Sequence, residues 1–184
     1  MRAVVLVEGP SDRGAVEALA ARRGRDLAAE GVDVVTVGGA QAMGRELRRY
    51  GPPGLDLRLA GLYDAGEEHV LRRAVASAGL GPADTRAELE GLGFFVCDRD
   101  LEDELIRALG AAPIEAIVET QGDLGRFRTL QKQPEWRGRP LEEQLRRFFG
   151  SGGRRKIRYA PLLVEALVEL DRVPRPLEGV LDSV

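Results

Sequence analysis

The sequence predicts an α/β protein built on a four-stranded, mainly parallel sheet flanked by helices, with a helical extension at its C-terminal end. Three observations lead there. Short, near-continuous apolar runs recur through roughly the first hundred residues, as strands buried on both faces require. Longer stretches with helical spacing separate those runs, the alternation expected of a parallel sheet with crossover helices. After Pro113 the apolar runs stop, and every periodic segment is helical.

The elements follow in order. AVVLV, from Ala3 to Val7, is the first strand, and a helix follows from about Ser11 to Ala29. VDVVTV (Val32 to Val37) is the second strand, leading through a Gly-rich turn into the helix of GGAQAMGRELRRY. GPPG at Gly51 to Gly54 is a loop. LRLAGLYD (Leu57 to Asp64) is the third strand, with a helix from about Glu67 to Ala78. GFFVCD (Gly93 to Asp98) is the fourth, and LEDELIRALG continues as a helix that stops at Gly110. Short helices are expected near Ile114 to Glu119, Leu141 to Phe149 and Pro161 to Leu170. Residues 1–112 thus read as an α/β unit, and 113–184 as a helical basic part packed on the same domain.

Composition narrows the function classes. The 184 residues suffice for one sizeable core. Aromatic residues make up only 5%, so aliphatic side chains must fill that core. No apolar run approaches the roughly 18 residues that span a bilayer. The start, MRAVVLVEG, is too short for a secretory apolar region and lacks a small-residue cleavage site, so the cytoplasm is the expected compartment. The single cysteine, Cys97, agrees with a reducing environment. Twenty-five arginines stand against two lysines, Lys132 and Lys156. Net charge is −3, yet Gln121 to Arg158 holds eleven Lys/Arg and four acids, a local balance of +7. That stretch is either a solvated helical surface or a footprint for phosphates.

In open parallel sheets, ligands bind at the carboxyl ends of the strands. The acids of this chain collect there. Glu8 follows the first strand, with Asp12 one turn on; Asp64 ends the third; Asp98 and Asp100 end the fourth, with Glu102 and Glu104 just beyond. Each has an ordinary alternative. Asp12, Asp100 and Glu102 can serve as favourable charges at helix N-termini, and Asp64 can cap the helix after it. Gathered together, they repel one another unless a cation joins them. Oxygen ligands without His or Cys point to Mg²⁺ or Mn²⁺ rather than zinc. The one histidine, His69, sits among polar neighbours in a helix, and Cys97 lies inside an apolar strand, so no Ser-His-Asp set is in view. The chain has no G-x-x-x-x-G-K-[ST] loop, and VGGAQAMG lacks the dinucleotide spacing.

A strand running into VEGPSD, a second ending in VGG, and a third ending in an Asp 56 residues after the Glu resemble a TOPRIM domain. CDRDLEDELIRALG, GGRRKIRYAPLLVEAL and VPRPLEGVL narrow the resemblance to the TOPRIM half of the OLD (overcoming lysogenization defect) nucleases, over essentially the whole chain. It implies a Rossmann-like TOPRIM fold and a nuclease that hydrolyses DNA phosphodiesters with two Mg²⁺ or Mn²⁺ ions. Glu8, Asp12 and Asp64 would be metal ligands, with the rest supplied from Asp100, Glu102 and Glu104. Lys156 would be the late catalytic lysine, and Glu8 or Asp12 would bind or orient the nucleophile. Arg146, Arg154, Arg155 and Arg158, with Lys156, would hold the DNA backbone. The pattern departs from the family in two places. Asp64-Ala65-Gly66-Glu67 stands where Asp-x-Asp is usual, leaving Glu67 or Glu68 as replacements, and the chain begins at the first TOPRIM strand, so control by an ABC-type ATPase would come from a separate chain or be lost. The alternatives are a non-catalytic nucleic-acid-binding or regulatory module, and a hydrolase of small nucleotides. Tyr63 and Tyr159 raise covalent strand cleavage as in topoisomerases, but tyrosines on strands and helices are more often packed.

Overall fold

A computed structural model describes the backbone of residues 1–184, and the side chains of all but Ala40, Gln41 and Gly153. Four strands, β1 (Ala3–Val7), β2 (Val32–Thr36), β3 (Arg58–Asp64) and β4 (Phe94–Cys97), form one parallel sheet in the order β2-β1-β3-β4. The chain leaves β1 for β2 on one side and returns past it to β3 on the other. The crevice between the carboxyl ends of β1 and β3 is therefore the point where strand order reverses, the usual ligand site of an open α/β sheet.

The central strand shows why the sheet is covered on both faces. Every residue of β1 is fully buried, and successive side chains alternate. Ala3, Val5 and Val7 enter one core with helices α1 (Pro10–Arg22), α5 (Leu101–Leu109), α6 (Ala111–Thr120), α7 (Leu124–Lys132), α8 (Leu141–Gly150), α9 (Gly153–Glu169) and α10 (Arg175–Asp182). Val4 and Leu6 enter a second core with α2 (Ala40–Tyr50), α3 (Glu68–Ser77) and α4 (Arg86–Gly91). Each Val or Leu side chain buried this way contributes about 1.5–3 kcal/mol. The C-terminal helices share the first core with the sheet, and α9 lies along α1. Among the described residues no helix is long and apolar enough to cross a membrane.

Three departures from the sequence reading have physical causes. The first helix stops at Arg22, not Ala29, because Gly24 takes a left-handed φ of 71° and Arg25 N–H donates to Ala20 O at 2.9 Å. The helix expected to start at Pro161 starts eight residues earlier, at Gly153. Pro161 lies inside it, with its ring against Gly14 of α1, where a Cβ would meet Pro161 Cγ at 3.3 Å. RRKIR is consequently helical, and Lys156 is fixed on the first turns of α9. Helices α4, α7 and α10 were not expected. The Thr85-to-Glu88 capping box of α4 was readable, since Thr85 Oγ1 accepts from Glu88 N at 3.2 Å.

Candidate active site

The strand ends bring the acids together. Glu8 follows β1 directly, and Asp12 sits in the first turn of α1, where its Oδ2 accepts from Gly9 N at 2.9 Å. Asp64 is the last residue of β3 and makes no capping hydrogen bond to the turn after it. Asp100 caps α5, its Oδ1 accepting from Asp103 N at 2.8 Å. These four carboxylates and Glu67 line one cavity of about 40 Å³, with Leu62, Tyr63 and Cys97 among its walls. That volume exceeds what a single water needs.

Of the two candidates for the absent second acid of Asp-x-Asp, only one lines the cavity. Glu67 faces the cavity, whereas Glu68 turns away to ion pairs with Arg72 and with Arg86 at 2.8 Å. The three acids after β4 also separate. Asp100 lines the cavity; Glu102 turns toward α9, where Lys156 Nζ stands 3.5 Å from its Oε2. Glu104 accepts from Asp98 N at 2.8 Å and pairs with Arg107 at 2.7 Å, outside the cavity. Asp98 is exposed and also faces Arg107.

Crowding shows in the protonation of these groups. Burial, followed by the negative charges of Glu8, Asp100, Glu67 and Asp12, pushes Asp64 up to about 7. Burial raises Asp12 in spite of its Gly9 hydrogen bond, and burial together with Glu8 raises Glu67. Glu102 is pushed up to about 7 by burial, against the pull of Lys156, and its Oε1 is buried without a hydrogen-bond partner.

Do these residues suit a divalent cation? Among the described residues, no three His, Cys, Asp or Glu side chains stand close enough to ligate an ion as they are. The donor chemistry nevertheless fits a hard cation. The acids offer oxygen only, repel one another, and include a buried orphan oxygen on Glu102. Cys97 borders the cavity, but burial holds its thiol well above the ordinary range, so it stays protonated and a poor ligand.

The basic residues behave differently from their count. Arg146 Nη1 and Nη2 reach Asp103 Oδ1 and Asp100 Oδ2, both at 2.6 Å, so it braces the start of α5. Arg155 donates to Phe148 O at 2.7 Å, and Arg158 to Gln121 O at 2.9 Å. Arg154 is exposed and has no acidic partner among the described residues. Arg154, Arg155 and Arg158 line an open pocket of about 360 Å³ with Asp123 and Arg126. Tyr159 is buried and donates to Asp123 Oδ2 at 2.9 Å, and Tyr63 is buried too, which argues against either as a nucleophile.

A parallel sheet with carboxylates at the ends of β1, β3 and β4 around its switch point defines a TOPRIM-type α/β domain. Residues 1–51 match the family model for the TOPRIM domain of overcoming lysogenization defect protein-like sequences. Solved structures extend the likeness over the whole chain. The C-terminal region of the Burkholderia pseudomallei OLD protein superposes with a TM-score of 0.71 at 22% identity, covering 99% of this chain and 96% of that one. The C-terminal region of the Xanthomonas campestris pv. campestris OLD protein gives 0.72 at 25% identity, covering 100% and 91%. No curated protein matches the chain. The protein resembles, end to end, the C-terminal TOPRIM region of OLD proteins.

Proposed function

We propose that this protein is a metal-dependent nuclease that hydrolyses DNA phosphodiester bonds at the acidic sheet edge. The observation that carries the reading is the single small cavity on which Glu8, Asp12, Asp64, Glu67 and Asp100 converge from three strand ends. Those residues would hold Mg²⁺ or Mn²⁺, with Glu102 supplying a further oxygen from the α5 side. Two such ions, when bound, supply an activated water and neutralise the leaving oxygen.

The chain's own residues do the rest. Lys156, on α9, can leave Glu102 for an oxygen of the scissile phosphate and offset the charge that develops there. Glu8 is exposed at the rim, placed to orient the attacking water. Arg146 holds Asp100 and the first turn of α5 in place. Arg154, Arg155 and Arg158 border the pocket at the start of α9 and give backbone contacts that carry no sequence information. Residues 1–112 would then be the catalytic part and 113–184 the basic part that contributes Lys156. An ABC-type ATPase is the partner this reading suits, with the activity exercised in the cytoplasm.

One observation favours a non-catalytic binding or regulatory module instead. Lys156 is paired with Glu102, and among the described residues no carboxylate triplet stands at ligand distance. Nicking of supercoiled plasmid with Mg²⁺, Mn²⁺ or EDTA separates the two. The nuclease reading predicts metal-dependent cutting, lost in Glu8→Ala and in Lys156→Ala. Failure to cut with either metal, in folded protein, would favour the regulatory module.

A further inference from the structure

Beside the acid edge lies a second, larger concavity. An open cleft of about 490 Å³ is lined by Asp100, Glu102 and Lys156 together with Arg99, Arg147, Glu143 and Trp136. Its size falls in the range of clefts that take small-molecule-sized groups, about 300–1,000 Å³. Trp136 is the chain's single tryptophan. Its indole packs partly on the core and partly faces the cleft. Gln144, buried beneath, holds its backbone by donating to Trp136 O at 2.9 Å. The guanidinium of Arg147 stands 5.9 Å from the ring centroid, and that of Arg139 5.2 Å. Arg139 is engaged with Glu143 at 3.3 Å, whereas Arg147 is exposed and has no acidic partner among the described residues.

We propose that this cleft is a base-stacking subsite for an unpaired nucleotide, which makes single-stranded or frayed DNA the favoured substrate. This rests on the nuclease reading of the neighbouring edge. A strand whose phosphate reaches Lys156 directs the adjoining base along the cleft toward Trp136. Aromatic rings bind bases of any sequence, because every base has a π-face. Arg147, freed from the ring, is then available to the next phosphate, and Arg99 lines the same cleft. A base inside an intact duplex is already stacked on its neighbours and cannot also stack on Trp136.

The single tryptophan makes its own probe. Intrinsic fluorescence is titrated with a short oligo(dT) strand, the same strand made abasic, and a blunt duplex of equal length, in EDTA so that nothing is cut. The proposal expects strong quenching by oligo(dT) and little by the abasic strand or the duplex. Anisotropy of a labelled strand should show affinity about tenfold weaker for Trp136→Ala, with most of it restored in Trp136→Phe. Circular dichroism on the variants establishes that they are folded. Binding of oligo(dT) without quenching, or equal affinity in wild type and Trp136→Ala, overturns the subsite. Quenching with no metal-dependent cutting of either plasmid or the oligo(dT) strand keeps the subsite and removes the nuclease reading. Cutting with no quenching does the reverse. No binding of any strand overturns the subsite as well.

Discussion

The acid edge and the arginine-rich helices carry opposite charge and use it in opposite ways. At the edge, Glu8, Asp64 and Glu67 have no cationic partner among the described residues, and the charge of Glu8 adds to burial in raising the proton affinity of Asp64 and Glu67. Across the helical part, most arginines are already engaged: Arg126 and Arg158 with Asp123, Arg128 with Glu115, Arg139 with Glu143, Arg146 with Asp100 and Asp103. Unpaired like charges are costly to hold together, which is why the proposed reading places a cation at the edge. Paired arginines are structural first, so a local balance of +7 overstates the phosphate-binding surface. Charge count and charge availability are different quantities.

The largest effect should fall at the one lysine that bridges the two regions. Lys156→Ala is expected to lower the cutting rate by about a hundredfold or more, with DNA affinity little changed. Single-turnover rates beside binding curves check this, and a matching loss in affinity would place Lys156 with the arginines. In the helical part, Asp123→Ala is expected to act on stability. Burial alone would raise Asp123, but hydrogen bonds from Arg126 and Tyr159 and the charge of Arg158 hold its carboxyl below the usual range. Removing it strands the buried Tyr159 hydroxyl, at a cost of about 1–3 kcal/mol, or about 2–4 °C of Tm for each kcal/mol. An unchanged melting curve would mean the hydroxyl finds another partner.

Gly66→Asp sharpens the comparison from the other side. A Cβ at Gly66 would meet nothing within 4 Å, so a carboxylate can be added to the edge without a clash. Mn²⁺ should bind about tenfold more tightly, with little change in Tm. Arg154→Ala should weaken DNA binding only a few-fold and reduce the salt slope by about one. A loss well beyond a few-fold would show that Arg154, which has no acidic partner among the described residues, holds more than one phosphate.

The edge also makes a pH prediction for metal-free protein. Asp64 is pushed up to about 7 when folded and lies near the ordinary aspartate value of 3.8 when unfolded, so between those values the folded state binds more protons. Stability from this group is full below the unfolded value and is lost as pH rises through about 7. Asp64→Asn should flatten that decline, seen as a higher Tm than wild type at pH 8 and little difference at pH 4.

Much of this was legible from the residues. The buried run of β1 and the acids at strand ends follow from periodicity and position, and the structure sets them as expected. Two features were not legible, for a shared reason. Pro161 reads as a helix start, yet it packs on Gly14 within α9, so the placement of Lys156 depended on a contact between helices far apart in sequence. Arg146 reads as a phosphate contact, and only the packing of α8 on α5 reveals its pairing with Asp100 and Asp103. Trp136 gave no periodic signal at all, being a lone aromatic in a turn.

The central claim is that the acid edge is a cation site organised around Glu8. Calorimetric titration of the folded protein with Mn²⁺, beside Glu8→Gln, tests it most directly. The account predicts saturable binding in wild type, proton release at pH 6 as Asp64 loses its proton, and loss of binding in Glu8→Gln. An isotherm that Glu8→Gln leaves unchanged, or no binding in wild type, would contradict it.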